Sequence, residues 1–317
     1  MNCDLSICIP SLNRANYLAE ALHSIVEQDH YGLDIEICIS NNASDEDYRE
    51  VEDFICNYTS NNYHIKYVKQ GERISLDEHM HYVANMASGE YIYYLGDDDY
   101  FYDDAFKTLF ELIKVDGVDI AIFNGTPVDA DGHTISSGRE CELRRFTDID
   151  NAFLNLKGKS TFGAVLFKRD YLNDEYFSSL YGGCHAYTSF WLPLLNRDNR
   201  HVLIVMPKDP VVYLRMAVKN YKVAAVYYHS IPYHLQSFRH LVVNKDSLVL
   251  VNKIIKQVET RNGSIKFMCS LMRKDVLFSD IPTISISMYI KKCIAYLLSI
   301  NFIYSKAKVV YGLLTKF

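Results

Sequence analysis

The chain has 317 residues, about half of them hydrophobic, enough to bury a large core in one big domain or two smaller ones. Its net charge of −6 hides an asymmetry: 12 Lys/Arg against 4 Asp/Glu lie from Lys245 onward, and 21 against 35 precede it. The acidic front argues against nucleic acid as a partner, the basic tail suits an anionic surface, and eight Cys without a Cys-x-x-Cys pair give neither a zinc site nor a disulfide framework.

Leu5 to Ile9 is predicted as a buried strand, ended by Pro10 and the turn Ser11 to Arg14. Apolar residues at 18, 21, 22, 25 and 26 then give a helix over Ala15 to Gln28. Ile35 to Ile39 is a second strand, and Ser44 or Asp45 is expected to cap a helix over Glu46 to Tyr58. Strands follow at His64 to Val68 and Tyr91 to Leu95, with a helix between them over Leu76 to Met86. A helix over Ala105 to Lys114 and a strand over Val118 to Phe123 complete an alternation that implies an α/β fold with a mainly parallel sheet. Asp129 to Gly132 is a solvated hairpin tip, Gly163 to Phe167 a strand, Tyr187 to Leu195 a helix and Val202 to Met206 a strand. Pro210 to Arg215 closes this body, and beyond about His234 the pattern turns helical and basic, with His229, His234 and His240 as polar helix residues. The expected division is a domain over 1–240 and a helical, basic region over 241–317. Met1 to Asp4 lacks the basic-then-apolar pattern of a signal peptide, so a cytoplasmic location is expected.

The chemistry concentrates where the strand Tyr91 to Leu95 runs into Gly96-Asp97-Asp98-Asp99. Three adjacent carboxylates repel one another, so a fold tolerates them best around a cation. Oxygen-only ligands at a strand end suit Mg²⁺ or Mn²⁺, and those ions suit a diphosphate. Ligands on such sheets collect at the carboxyl ends of the strands, where Asn13, Asn41 and the Asp run all fall.

Ile9-Pro10-Ser11-Leu12-Asn13-Arg14, Ile39-Ser40-Asn41-Asn42-Ala43-Ser44-Asp45, Ala87-Ser88-Gly89-Glu90-Tyr91 and Leu95-Gly96-Asp97-Asp98-Asp99 together resemble the family 2 glycosyltransferases. The pattern is similar to their abequosyltransferase-like bacterial branch. It is strong over about the first 100 residues and weaker over Phe162 to Leu195 and Val211 to Asn220. The resemblance implies a GT-A fold, a Rossmann-like sheet that binds a nucleotide sugar. It implies that Pro10 and Asn13 shape the nucleoside pocket, that Arg14 lies near ribose or phosphate, and that Asp77 lines the pocket. Asn41 stands where the family usually has an acidic residue on the base or ribose. Asp97 and Asp99 match the pair that holds ribose and metal, and the extra Asp98 joins the catalytic candidates. Arg215 falls where the family places a basic group near the diphosphate, a surface salt bridge being the plain alternative.

An inverting transfer needs a base for the acceptor hydroxyl, which the family commonly supplies from a Glu-Asp pair. This chain has Cys184-His185-Ala186-Tyr187 in that region and no carboxylate pair. His185, Asp174, Glu175 or a more distant residue is the candidate base, and an outcome without inversion stays open. The implied function is sugar transfer from a nucleotide-sugar donor to a lipid-linked oligosaccharide in bacterial surface polysaccharide synthesis. The alternative is a non-catalytic subunit that binds nucleotide or glycan. A dinucleotide-dependent oxidoreductase is disfavoured because no Gly-x-Gly-x-x-Gly follows the first strand. Near Tyr289 to Lys308, apolar residues flanked by Lys291, Lys292, Lys306 and Lys308 suit an amphipathic helix on the inner-membrane surface or a helix packed on protein.

Overall fold

The computed structural model describes residues 3–135, 142–157, 162–216, 223–273 and 276–314, with backbone alone at 223 and 301–314. The chain divides into two compact units, Met1–Val218 with Leu241–Ser247, and Lys219–His240 with Leu248–Phe317.

The first unit opens with β1 (Leu5–Ser11), α1 (Ala15–Val26), β2 (Ile35–Asn41), α2 (Arg49–Asn57), β3 (Tyr63–Lys69), α3 (Leu76–Asn85) and β4 (Tyr91–Tyr94). It continues through β5 (Tyr100–Phe101), α4 (Ala105–Phe110), β6 (Ile120–Ile122), β7 (Thr126–Val128), β8 (Arg144–Asp148) and α5 (Ile149–Leu156). Last come β9 (Val165–Lys168), α6 (Asp174–Ser178), α7 (Trp191–Asn196), β10 (His201–Met206) and β11 (Val212–Arg215).

Eight strands form one sheet in the order β3-β2-β1-β4-β9-β6-β10-β8. β3, β2, β1 and β4 pair in parallel, and β10 is parallel to β6. β9 runs against both β4 and β6, and β8 runs against β10, so the sheet is mixed but mainly parallel. β1 and β2 are buried along their whole length, as strands covered on both faces must be, and they read as near-continuous apolar runs. α1 covers them with Leu18, Ala21, Leu22 and Ile25, all fully buried; each such Leu or Ile contributes about 2 kcal/mol.

Three local expectations are corrected. The helix after β2 starts at Arg49, and neither Ser44 nor Asp45 caps it, because the Ser44 hydroxyl accepts the Asn13 N–H instead. The helix expected over Ala105 to Lys114 is regular only to Phe110. It widens into a π-type turn, Glu111–Asp116, that ends at left-handed Gly117. The helix expected over Tyr187 to Leu195 is split between a 3-10 turn, Ala186–Thr188, and α7. The hairpin tip stands as expected: the Asp129 N–H donates to the His133 carbonyl, and Gly132 takes φ +83°.

A small sheet, β5-β11-β7, follows directly from the Asp run. Pairing of Tyr100 with Tyr213 carries Arg215 alongside Asp99.

The second unit is helical from Val223 onward, earlier than the sequence pattern suggested. α8 (Val223–Ala225) passes through a π-type turn into α9 (Ile231–Leu241), followed by α10 (Lys245–Asn262), α11 (Ile265–Met272) and α12 (Ile286–Leu314). Ala224, Met268, Leu271, Met272, Ile281 and Ala295 form its small core. No helix among the described residues is long and apolar enough to cross a membrane.

Candidate active site

Three loops meet at the carboxyl ends of β2, β1 and β4, and backbone donors knit them together. The Leu12 N–H donates to Asp97 Oδ2 at 3.1 Å. Asn13 N–H donates to Ser44 Oγ at 2.9 Å, and the Asp45 N–H returns a bond to Asn13 Oδ1 at 2.8 Å. Asn13 takes φ +54°, a left-handed conformation that Asn tolerates better than most residues, which explains an Asn at this turn. Pro10 is buried within β1 opposite Ser40. Asn41 is fully buried, with its Oδ1 accepting the Ser44 N–H and its amide donating to the Tyr67 hydroxyl. Its side chain shapes the loop beside Asn13.

The Asp run is held from two sides. Arg14 Nη1 lies 2.9 Å from Asp97 Oδ1 and 3.0 Å from Asp98 Oδ2. Asp99 Oδ1 accepts the Arg215 backbone N–H at 3.0 Å. A Cβ on Gly96 would lie 2.5 Å from Asp99 Oδ2 and 3.2 Å from Asp98 Oδ1, so these two oxygens crowd the same spot. A Cβ on Gly163 would lie 2.4 Å from Asp99 Oδ2, and the Tyr93 hydroxyl fixes Gly163 through its carbonyl at 2.8 Å. Burial pushes the Asp97 carboxyl up to about 6 despite Arg14. Burial, then the charge of Asp98, pushes Asp99 well above the usual carboxylate range. Burial thus outweighs what Arg14 offers, and both carboxyls resist taking up their charge within the chain alone.

Arg215 behaves differently from the diphosphate contact expected of it. Its guanidinium donates to Glu20 at 2.7 Å and lies over the Tyr17 ring at 4.4 Å and the Tyr100 ring at 5.3 Å. Its backbone is what supports the Asp run. Asp77 is likewise not on an open rim: it is 2% exposed, and its carboxylate accepts the backbone N–H groups of Gly182, Cys184 and Ala186.

His185 precedes the 3-10 turn, its ring 6.1 Å from Tyr187. Tyr187 lies 5.2 Å from Phe162 and 6.3 Å from Tyr94, so an aromatic chain links His185 to the segment that packs on Asp99. Asp174 and Glu175 are exposed at the start of α6, and Asp174 is paired with His81. Thr188 Oγ1 donates to the His185 carbonyl.

Gly163, Glu20, His81 and Tyr181 were missed from sequence. An isolated Gly just before a strand is a usable signal for close approach; the other three depend on partners far away in sequence. A groove of about 410 Å³ lies between α1 and α2, but none of its lining residues belongs to the strand-end loops.

Oxygen donors in excess of local positive charge suit a hard divalent cation, so Asp97 and Asp99 fit the metal expected there. Among the described residues the one trio whose donor atoms gather within 4.8 Å is Asp129, Asp131 and His133. It lies on the hairpin tip, where Asp129 Oδ1 is already taken by the Asp131 and His133 N–H groups.

The mixed sheet, the strand-end loops and the Asp run define a GT-A transferase fold. The glycosyl transferase family 2 pattern matches residues 6–174, and the chain belongs to that family. It is similar to the abequosyltransferase RfbV of Salmonella typhimurium, 36% identical over 107 residues, 33% of this chain and 31% of the relative. It is also similar to the GalNAc(5)-diNAcBac-PP-undecaprenol beta-1,3-glucosyltransferase of Campylobacter jejuni, 26% identical over 62% of each chain. The chain thus spans about a third of one curated relative and under two thirds of the other. Among solved structures, S. aureus TarS 1-349 in complex with UDP aligns with a TM-score of 0.59 at 15% identity, covering 82% of this chain and 71% of that one. This likeness speaks for the fold.

Proposed function

We propose that the chain transfers a sugar from a nucleotide-diphosphate donor to a lipid-linked glycan in bacterial surface polysaccharide synthesis. The observation that carries this is the crowded, under-compensated Asp run at the carboxyl end of a nucleotide-binding type of sheet. The relatives add weight: one is named for an undecaprenol-linked acceptor, and TarS is known with UDP.

In this reading Asp97 and Asp99 would hold Mn²⁺ or Mg²⁺ for the donor diphosphate. When bound, the cation offsets the charge that grows on the leaving diphosphate. Asn13 and Asn41 shape the nucleoside end beside Pro10. Arg14 is already bonded to Asp97 and Asp98, within reach of an incoming phosphate. Asp98, its side chain 14% exposed, is the most open of the three carboxylates. At the acceptor end His185 is the candidate to take the proton of the attacking hydroxyl. It is favoured over Asp174 and Glu175 because ring contacts join it through Tyr187 to Phe162, next to the Gly163 that abuts Asp99, while Asp174 faces His81.

Membrane contact through the second unit fits the acceptor. On α12 the inward side carries Lys292, Ala295 and Ser299, and Lys292 donates to the Ile281 carbonyl. Ile286, Tyr289, Ile290, Leu297 and Ile300 are 42–82% exposed along the other side. Exposed apolar side chains on a basic segment suit an anionic lipid surface. Lys306 and Lys308 lie where side chains are not described.

Nucleotide release from a panel of nucleotide sugars, with and without Mn²⁺, tests the function. Metal-dependent release supports transfer. UDP binding without any release favours the non-catalytic subunit, for which the missing Glu-Asp pair speaks.

A further inference from the structure

α3 presents two buried polar residues one turn apart, Asp77 and His81. Asp77 Oδ2 accepts the N–H groups of Gly182 at 2.8 Å and Cys184 at 2.9 Å, and its Oδ1 accepts that of Ala186 at 3.1 Å. Alternate backbone donors thus converge on one carboxylate, the arrangement of an anion-binding nest. His81 lies between two partners: its Nε2 is 2.9 Å from Asp174 Oδ1, and its Nδ1 is 2.7 Å from the Tyr181 hydroxyl. A carboxylate only accepts, so Nε2 carries the proton and Nδ1 accepts from the Tyr181 O–H. The His81 ring also stacks on Phe177 at 4.4 Å, interplanar angle 6°.

Both ends of the loop Tyr181 to Ala186 are therefore tied to α3. The loop needs restraint. Gly182 takes φ +94°, and Cys184 takes φ +56°, a left-handed conformation that costs a non-glycine residue. His185 sits inside this restrained stretch.

We infer that Asp77 and His81 are positioning residues for the acceptor end of the site, fixing the Tyr181 to Ala186 loop so that His185 faces the incoming hydroxyl. The acceptor role rests on the transferase reading above. The anchoring itself does not, and it displaces the expectation that Asp77 touches the nucleoside.

Cys184 reports on the loop. It is exposed, its N–H is bonded to Asp77, and partial burial followed by the Asp77 charge holds its thiol above the usual range. Cys56, exposed on α2, serves as the internal reference. In Asp77→Asn, iodoacetamide labelling of Cys184 relative to Cys56, read by peptide mass spectrometry, should rise roughly five-fold or more as charge and restraint are lost. UDP affinity with Mn²⁺, by calorimetry, should stay within about two-fold, and kcat for nucleotide release should fall about ten-fold with the donor KM unchanged. Tyr181→Phe, which removes only the O–H to His81, should raise the labelling ratio about two-fold and provides the test if Asp77→Asn does not fold. An unchanged ratio in either variant overturns the anchor. A ten-fold loss of UDP affinity in Asp77→Asn also overturns it and returns Asp77 to the nucleoside. If wild-type protein binds none of a panel of nucleoside diphosphates with Mn²⁺, the transferase reading fails, and the labelling ratio still decides the anchor.

Discussion

At the amino end of the large sheet, Glu36 is 3% exposed and surrounded by donors. Ser6 Oγ, Cys38 Sγ and the Ser88 N–H reach Oε1, while Ser88 Oγ and Lys66 reach Oε2. Burial works to raise its pKa, but Lys66 and Ser88 overcome it and hold the carboxyl at about 2. At the carboxyl end, burial of Asp97 and Asp99 is not overcome, and both carboxyls are pushed up. The same sheet thus buries acid in two ways. One cluster is complete within the chain; the other leaves its burial uncompensated, which the proposed cation would offset.

Part of this contrast is legible in sequence. The strands show as apolar runs, and the Asp run stands out because its members are adjacent. The Ala87 to Glu90 motif is legible only as a turn; its reason lies in Glu36 and Ser6, 52 and 83 residues away. A Cβ on Gly89 would lie 2.8 Å from the Ser6 backbone nitrogen. The pairing of Arg215 with Glu20 and the grip of Asp77 on the loop are equally invisible, since each joins distant segments that only the fold brings together. The reversal of β9 also escapes the alternation pattern, because a single short strand reads the same in either direction.

The comparison can be broken first at Glu36. Replacing it with Ala takes the shared acceptor from the buried donors of Ser6, Cys38 and Ser88, and should cost about 3 kcal/mol of unfolding free energy while UDP affinity holds. Chemical denaturation with parallel calorimetry checks both; a stable variant would show that the amino-end network does not support the fold.

Gly89→Ala drives a Cβ into backbone and should cost about 2 kcal/mol. Gly163→Ala meets the Asp99 carboxylate and adopts φ +86°, and should cost a comparable amount. Only the Gly163 variant should also weaken Mn²⁺-dependent nucleotide binding. Equal effects on binding would erase the distinction between the two ends.

Acid titration sharpens the contrast. The folded pKa of Glu36 is depressed, so its contribution is present above its ordinary value of 4.5 and is lost as pH falls from there toward about 2. That loss should be on the order of 2 kcal/mol, since Lys66 is partly in solvent. In Glu36→Gln this component of the stability curve should vanish.

Smaller still is the effect expected on α12. Ile286→Ser with Ile290→Ser and Leu297→Ser changes exposed side chains and should alter stability by less than about 0.5 kcal/mol. Sedimentation with phosphatidylglycerol vesicles should nevertheless fall sharply. Unchanged sedimentation would remove the membrane role.

The most direct measurement compares Asp99→Asn with wild type, using calorimetry for UDP with Mn²⁺ and thermal melting on the same samples. The account predicts that Mn²⁺-dependent binding weakens at least about 100-fold while the melting temperature stays level or rises, because Asn keeps an acceptor for the Arg215 N–H and removes a carboxyl whose ionisation burial opposes. Unchanged UDP affinity, or a fall of several degrees in melting temperature, would contradict it.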